Sequence, residues 1–130
     1  MTALPATMTA IGFDKPGGPE VLHAQTRALP KPGAGEVLVK VAAAGINRPD
    51  VLQRTGGYAP PPGASDIPGL EIAGTVVALG EGVSRFRLGD QLCGLVAGGG
   101  YAEYATVHES NALPVPAGLS LTEAAAIPET

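Results

Sequence analysis

The sequence GLEIAGTVVALGEGV at residues 69–83 carries the clearest structural pattern of the chain. Leu70 to Leu79 consists mostly of β-branched and aliphatic residues, a composition typical of a strand. The Gly-Glu-Gly sequence that follows predicts a tight turn, because glycine adopts turn conformations without steric cost. A second turn is predicted at Arg87–Asp90, and it leads into another β-type run, Gln91 to Val96.

The regions on either side of this segment show the same alternation of short apolar runs and turns. In EVLVKVA, residues 36–42, three valines lie at every second position, which is the period of a strand with one buried face. Further β-type runs are predicted at 9–13, 21–29 and 101–107. In total we expect about seven short strands, at the spacing of a sandwich or barrel, and therefore a mainly β domain.

Helices are predicted at only two places. Asp50 to Arg54 is expected to form one helical turn, ended by two glycines. The proline-rich sequence at 59–63 must be an extended surface loop, because proline donates no hydrogen bond to a sheet. Ser120 and Glu123 form the sequence of a capping box and predict the start of an apolar helix. We expect residues 1–7 to be a disordered extension, 8–118 to be the domain, and 119–130 to begin a helix that leads to a further domain.

Composition excludes several classes of protein. The chain has 130 residues, a net charge of −4 and no cluster of basic residues, so nucleic acid is not an expected partner. No apolar run is long enough to span a membrane, and the N-terminus lacks the pattern of a signal peptide. The single cysteine, Cys93, rules out a disulfide framework and is expected to be inert in the core. A cytoplasmic location is therefore expected.

The glycine-rich pattern of residues 69–83, continued through Gly89-Asp90 to Gly94, resembles the fingerprint of the medium-chain dehydrogenase/reductase superfamily. The sequences FDKPGGPE (13–20), NRPD (47–50), GYAPPPGAS (57–65) and AAAIPE (124–129) are similar to zeta-crystallin-like quinone oxidoreductases, especially the branch of the p53-inducible quinone oxidoreductase. The resemblance implies a GroES-like β-barrel with short helices. It also implies a partner Rossmann domain, which these residues do not contain, and a cleft between the two domains that holds NADPH and substrate.

The same resemblance predicts a reaction without a metal. Zinc-dependent members of the superfamily carry Cys where this chain has Asn47, His where it has Leu70, and a hydroxyl residue where it has Pro49. Neither Asn nor Leu is a usual zinc ligand, so no metal site is expected. Oxidation of simple alcohols then becomes implausible. Quinone carbonyls already accept hydride well, and the protein need only orient cofactor and substrate.

The resemblance implies four site residues. Asn47 would contact the nicotinamide ribose and the substrate carbonyl, and it is the expected cofactor-binding residue. Tyr58 would line the quinone pocket, Asp50 would orient its neighbours, and Gln53 would form a polar wall. Three of these residues also admit a structural interpretation: Asn47 as a helix cap, Tyr58 as a loop-stabilising aromatic, and Asp50 as an acidic residue favoured in a first helical turn. Glu71, at the place of a zinc-site carboxylate in metal-using relatives, is expected to be structural.

The function expected from this resemblance is hydride transfer from NADPH to a quinone by a full-length homodimer. An enone or enoyl-thioester reductase of the same superfamily is one alternative. A non-catalytic GroES-like module is another. No G-x-G-x-x-G pattern occurs in the sequence, so these residues lack the usual pyrophosphate-binding turn, and the 130-residue chain alone is predicted to be inactive.

Overall fold

The computed structural model describes residues 3–129, and strands dominate that part of the chain. The strands are β1 (Thr7–Gly12), β2 (His23–Ala28), β3 (Glu36–Ala44), β4 (Glu71–Leu79), β5 (Gln91–Leu95), β6 (Tyr104–His108) and β7 (Ala112–Pro114). The α-helices are α1 (Arg48–Thr55) and α2 (Leu121–Ala124). The seven strands and two short helices of residues 3–129 confirm the expectation of a mainly β domain.

The strands form two antiparallel sheets that are joined by main-chain hydrogen bonds. One sheet is the β1–β2 hairpin, and the other has the order β6-β3-β4-β5-β7. The hairpin is tied to the larger sheet where Ile11 N donates to Tyr101 O at 2.7 Å. Two register shifts interrupt the β3–β4 ladder, at Leu38/Val39 and at Val41/Ala43. Such irregularities bend a strand, and the five-stranded sheet curls into a half-barrel.

The concave side of the curled sheet holds the main core. Val37 and Val39 are fully buried there, as their spacing predicts, and Val41 packs against the same cluster. The cluster is composed of Val37, Val39, Ile72, Val76, Phe86, Leu92, Val96, Ala105, Val107 and Ala112. A smaller cluster lies under α2, where Ala73 and Cys93 pack against Ala124 and Ala125.

Two glycines of the 69–83 segment are required by close approach of the main chain. A Cβ atom on Gly74 would lie 2.1 Å from the carbonyl oxygen of Lys40. A Cβ atom on Gly80 would lie 1.9 Å from the carbonyl oxygen of Gly33. Both distances are far below van der Waals contact, so any side chain at these positions would force strands apart. Glycine is therefore required at these two positions of the segment, because main-chain atoms of neighbouring residues lie too close to leave room for a side chain.

The boundaries of two elements differ from the sequence prediction. Strand β1 begins at Thr7, within the predicted N-terminal extension, and residues 1–2 of that extension lie outside the described residues. Helix α1 has eight residues rather than a single turn, because Pro49 fits its first turn and Gly56 ends it in the left-handed conformation at φ 92°.

Helix α2 begins where the capping box predicts. Ser120 Oγ accepts a hydrogen bond from Glu123 N at 3.1 Å, and Glu123 Oε1 accepts one from Ser120 N at 2.9 Å. The α-helical part ends at Ala124, so it is shorter than the apolar sequence suggests, and Thr130 lies outside the described residues. Neither α1 nor α2, nor any other helix within residues 3–129, has the length and apolar character needed to cross a membrane.

Candidate functional site

The site is built where the end of β3 meets the start of α1. After β3 the chain remains beside β4, and Gly45 N donates to Glu71 O at 3.2 Å. Ile46 follows with 81% of its surface exposed. Asn47 is the N-cap of α1, in an extended conformation, and its side chain is half-buried. The exposed isoleucine and the asparagine therefore lie side by side at the end of the barrel.

The Asn47 side chain contacts a buried carboxylate. Asn47 Nδ2 donates to Glu71 Oε2 at 2.9 Å, and the Glu71 side chain is only 2% exposed. The second oxygen, Oε1, is buried and has no hydrogen-bond partner within residues 3–129. A Cβ atom on Gly45 would lie 2.5 Å from Cδ of Glu71. The absence of a side chain at Gly45 is thus what lets Glu71 reach Asn47.

Asp50 is the centre of a second set of hydrogen bonds. Its Oδ2 accepts from Asn47 N at 2.9 Å and from the Tyr101 hydroxyl at 2.8 Å. Its Oδ1 accepts from Gly69 N at 3.1 Å, and the residue is buried. With three donors on one carboxylate, Asp50 joins the start of α1 to two loops. Its expected role as an orienting residue of the site stays a prediction.

Tyr101 is part of this arrangement, although no sequence motif pointed to it. Burial raises the pKa of its phenol, and the hydrogen bond to the Asp50 carboxylate raises that pKa further. The phenol therefore remains protonated and donates to Asp50 at any ordinary pH. Tyr101 follows three glycines, and two of them, Gly98 and Gly100, pack closely against the backbone of the 65–69 loop.

Gln53 anchors the loop that follows α1. Its side chain is buried, and Nε2 donates to the carbonyl oxygen of Asp66 at 2.8 Å. The Asp66 carboxylate also pairs with Arg27 on β2. At the other end of this loop, Gly57 N donates to Leu52 O at 2.7 Å. One proton of the Gln53 amide nitrogen therefore holds the loop in place.

Tyr58 lies on this loop and is half-buried. Its hydroxyl has no hydrogen-bond partner among the described residues. Asn47 and Asp50 are in direct contact, and Gln53 follows on the same helix, but no hydrogen bond joins Tyr58 to any of the three. The structure thus brings Asn47 and Asp50 into contact, while Gln53 lies farther along α1 and Tyr58 on the loop that follows the helix.

One buried cysteine and the distribution of possible ligands bear on redox and metal chemistry. Cys93 is buried in the sheet beneath α2, as expected, and burial raises the pKa of its thiol. Its Sγ is therefore held as a protonated, weakly reactive thiol. Among residues 3–129, no group of three or more His, Cys, Asp and Glu side chains is placed to hold a metal ion.

Comparisons with known proteins agree with the observed fold. Residues 33–117 match the family model described as "Alcohol dehydrogenase GroES-like domain". The rat protein named quinone oxidoreductase is 38% identical over 122 residues, which cover 92% of this chain. The human synaptic vesicle membrane protein VAT-1 homolog-like protein has a TM-score of 0.86 with 33% identity, over 94% of this chain and 40% of that one.

A further solved structure, the enoyl reductase named CurK, superposes with a TM-score of 0.81 at 29% identity, over 93% of this chain and 39% of that one. The chain spans 37% of the length of the rat quinone oxidoreductase, so it matches one part of a longer relative. The family match covers more than half of the chain and includes β3, α1, β4 and the Asn47–Glu71 contact. The chain therefore belongs to the alcohol dehydrogenase GroES-like domain family, within the medium-chain dehydrogenase/reductase superfamily.

Proposed function

We propose that this chain is the substrate-side domain of a zinc-independent oxidoreductase that transfers hydride from NADPH to a quinone. The observation that carries the proposal is the Asn47 carboxamide, held at the exposed end of the barrel by Glu71. The similarity to the rat quinone oxidoreductase supports the choice of substrate class. A carboxamide suits positioning of a ligand, because it cannot act as a base at neutral pH.

The residues at this end of the barrel fit the nicotinamide part of such a cofactor. One Nδ2 proton of Asn47 is used by Glu71, and the second has no partner among the described residues. Ile46 beside it offers exposed apolar surface to a ring. The pyrophosphate has no G-x-G-x-x-G turn in this sequence, so its binding falls to residues outside the chain. NADPH, when bound, would supply the hydride.

The protein groups then have two tasks. A quinone oxygen gains negative charge as the ring is reduced, and a fixed N–H donor stabilises that charge without reorganisation. Asn47 is the proposed donor. Tyr58, half-buried and with an unpaired hydroxyl, is the proposed wall of the quinone pocket, where its ring can stack on the substrate.

An enone or enoyl-thioester reductase is a second candidate, favoured by the superposition on CurK. The same positioning groups would serve either reaction, because both need a hydride and a donor to a carbonyl oxygen. Rates with ortho-quinones, alkenals and an enoyl thioester, measured side by side, discriminate between them. A kcat/KM for quinones that exceeds the others supports the quinone reductase, and the reverse order refutes it.

The experiment starts with the intact mass of the natural protein, since a mass near 12.9 kDa would mean a true fragment, for which no catalysis is expected. The full-length product of the gene is then assayed for NADPH oxidation at 340 nm with quinones. The 130-residue chain, assayed in parallel, is expected to show no turnover. EDTA is expected to leave the activity intact, and loss of activity that zinc restores would refute the metal-free assignment.

In the full-length enzyme, Tyr58→Ala should lower kcat/KM for quinones about tenfold, or roughly 1.4 kcal/mol of lost positioning. Tyr58→Phe is the matched control, because it keeps the ring and removes only the hydroxyl. Unchanged kcat/KM for Tyr58→Ala across several quinones would remove Tyr58 from the site. On the same resemblance we propose that the full-length protein is a cytoplasmic homodimer, which light scattering during gel filtration and cell fractionation can test.

A further inference from the structure

We infer that Glu71 is a positioning residue that fixes the direction of the Asn47 carboxamide, so that one Nδ2 proton is held by Glu71 and the second is presented to a ligand as an N–H donor. The catalytic consequence of this inference rests on the proposed function. The orientation itself does not, and it can be measured without turnover.

The first step of the argument is the chemistry of the contact. An ionised carboxylate only accepts hydrogen bonds, so only the Nδ2 side of Asn47 can face it. The distance of 2.9 Å between Nδ2 and Oε2 is that of a normal hydrogen bond. If the carboxamide were rotated by half a turn, Asn47 Oδ1 would face Glu71 Oε2 in a buried place. Glu71 therefore excludes one of the two orientations of the amide.

The second step concerns the other side of the carboxamide. Asp50 Oδ2 accepts from Asn47 N at 2.9 Å, and the main-chain N–H of Asp50 donates to the main-chain carbonyl oxygen of Asn47 at 3.0 Å. These bonds fix the backbone of Asn47 at the start of α1, and no hydrogen bond from the helix engages its side chain within residues 3–129. Glu71 therefore holds one Nδ2 proton, and the second Nδ2 proton is left for a ligand.

The third step is that the surroundings of Glu71 preserve this arrangement. The side chain is 2% exposed and lies against Gly45, where a Cβ atom would be 2.5 Å from Cδ. No arginine or lysine pairs with it in the described part of the chain. A buried carboxylate with a single neutral partner is a costly element of a fold. Its placement against Asn47 is explained if the direction of the amide matters.

The test is proton–nitrogen NMR of the 130-residue chain. The sequence holds five side-chain carboxamides, from two Asn and three Gln, and Asn47→Ser assigns the pair of Asn47 signals. In the wild type, one Nδ2 proton should show Overhauser effects to the Glu71 side-chain protons and to Gly45 Hα, and its shift should be well downfield of its partner. Absence of these effects in the wild type would overturn the inference without any variant.

Substitutions at Glu71 and beside it test whether Glu71 causes the orientation of the Asn47 carboxamide. Glu71→Gln keeps the shape but can present either an oxygen or an N–H to Asn47, so the downfield shift should collapse. Gly45→Ala should have the same effect, because its methyl group displaces a chemically intact Glu71. Glu36→Gln is the control, since Glu36 Oε1 accepts from Gly33 N in a distant surface turn. If the Asn47 signals stay unchanged in a folded Glu71→Gln protein, Glu71 does not set the orientation.

A kinetic test in the full-length enzyme shows whether the orientation of the Asn47 carboxamide affects catalysis. Glu71→Gln should lower kcat for quinones at least about tenfold, and the double variant with Asn47→Ala should lose no more than Asn47→Ala alone. Additive losses would show that Glu71 acts on the reaction through something other than Asn47. If the NMR result holds while the wild-type enzyme reduces no quinone, the proposed function fails and the orientation stands.

Discussion

Replacement of Asp50 by Asn should cost far more stability than its conservative nature suggests. The carboxylate accepts three hydrogen bonds in a buried place, two on Oδ2 and one on Oδ1. Asparagine has one oxygen, so it can keep the pair of donors on one side only by turning its NH2 group toward Gly69 N–H. Two donors would then face each other at the position where the structure has a bond of 3.1 Å.

The expected size of the effect follows from these bonds. A buried N–H left without an acceptor costs about 1–3 kcal/mol, and the two remaining bonds lose their charge assistance, about 1 kcal/mol each. Relief from burying a charge offsets part of this loss. We expect Asp50→Asn to lower the free energy of unfolding by about 2–4 kcal/mol, a large fraction of the stability of a domain.

The assay is equilibrium unfolding in urea, followed by tyrosine fluorescence, because the chain has three Tyr and no Trp. Asp66→Asn is the matched control, since the Asp66 carboxylate is largely exposed and pairs only with Arg27. That exposed pair should contribute less than about 1 kcal/mol. Equal losses for the two variants, or a loss below about 1 kcal/mol for Asp50→Asn, would refute the reasoning.

Three further predictions follow from contacts at other positions. Because the pKa of Tyr101 is raised above its ordinary value of 10.0, the wild type should lose stability as the pH rises above 10, where the unfolded chain ionises and the folded one does not. Tyr101→Phe should remove that alkaline loss and the late phenolate absorbance at 295 nm, and an unaltered alkaline profile would contradict the assignment. Gly80→Ala should cost at least about 3 kcal/mol in urea unfolding, because its Cβ would lie 1.9 Å from Gly33 O, whereas Gly57→Ala, with 3.7 Å to Leu52 O, should cost far less. The pKa of Glu109 is lowered from 4.5 by the backbone N–H groups of Arg85 and Ser84, so its bonds should break as the pH falls through that lowered value. The amide shifts of Ser84 and Arg85 should follow this titration and be insensitive to acid in Glu109→Gln.

The parts of the fold that follow from neighbouring residues could be predicted from the sequence. The spacing of Val37 and Val39 correctly predicted a strand with these side chains in the core, although Leu38 between them is buried as well. The capping box at Ser120 was predictable because its contacts lie within four residues, whereas the crowding of Gly80 comes from Gly33 and Glu36, which are distant in the sequence. The glycine-rich segment was informative since a glycine required by sterics tolerates no substitute.

The site was predictable only in part, because its contacts span long separations. The Asn47–Glu71 bond joins residues 24 apart, and the Tyr101–Asp50 bond joins residues 51 apart. Both depend on how β3, β4 and the loops meet, which no local pattern encodes. Gln53 shows the same limit: its bond to the carbonyl oxygen of Asp66 joins residues 13 apart and could not be read from the sequence, and its role as a polar wall stays a prediction.

The tethers of the loop after α1 have a consequence for protein engineering and for divergence within the family. One end is fixed by the hydrogen bond from Gly57 to Leu52, and the other by the bond from Gln53 to Asp66. A segment closed at both ends can change length at little entropic cost, about 0.6 kcal/mol for each doubling. We therefore expect that residues 58–64 can change in length and sequence with little loss of stability in the barrel, whereas Ser65 packs against Gly98.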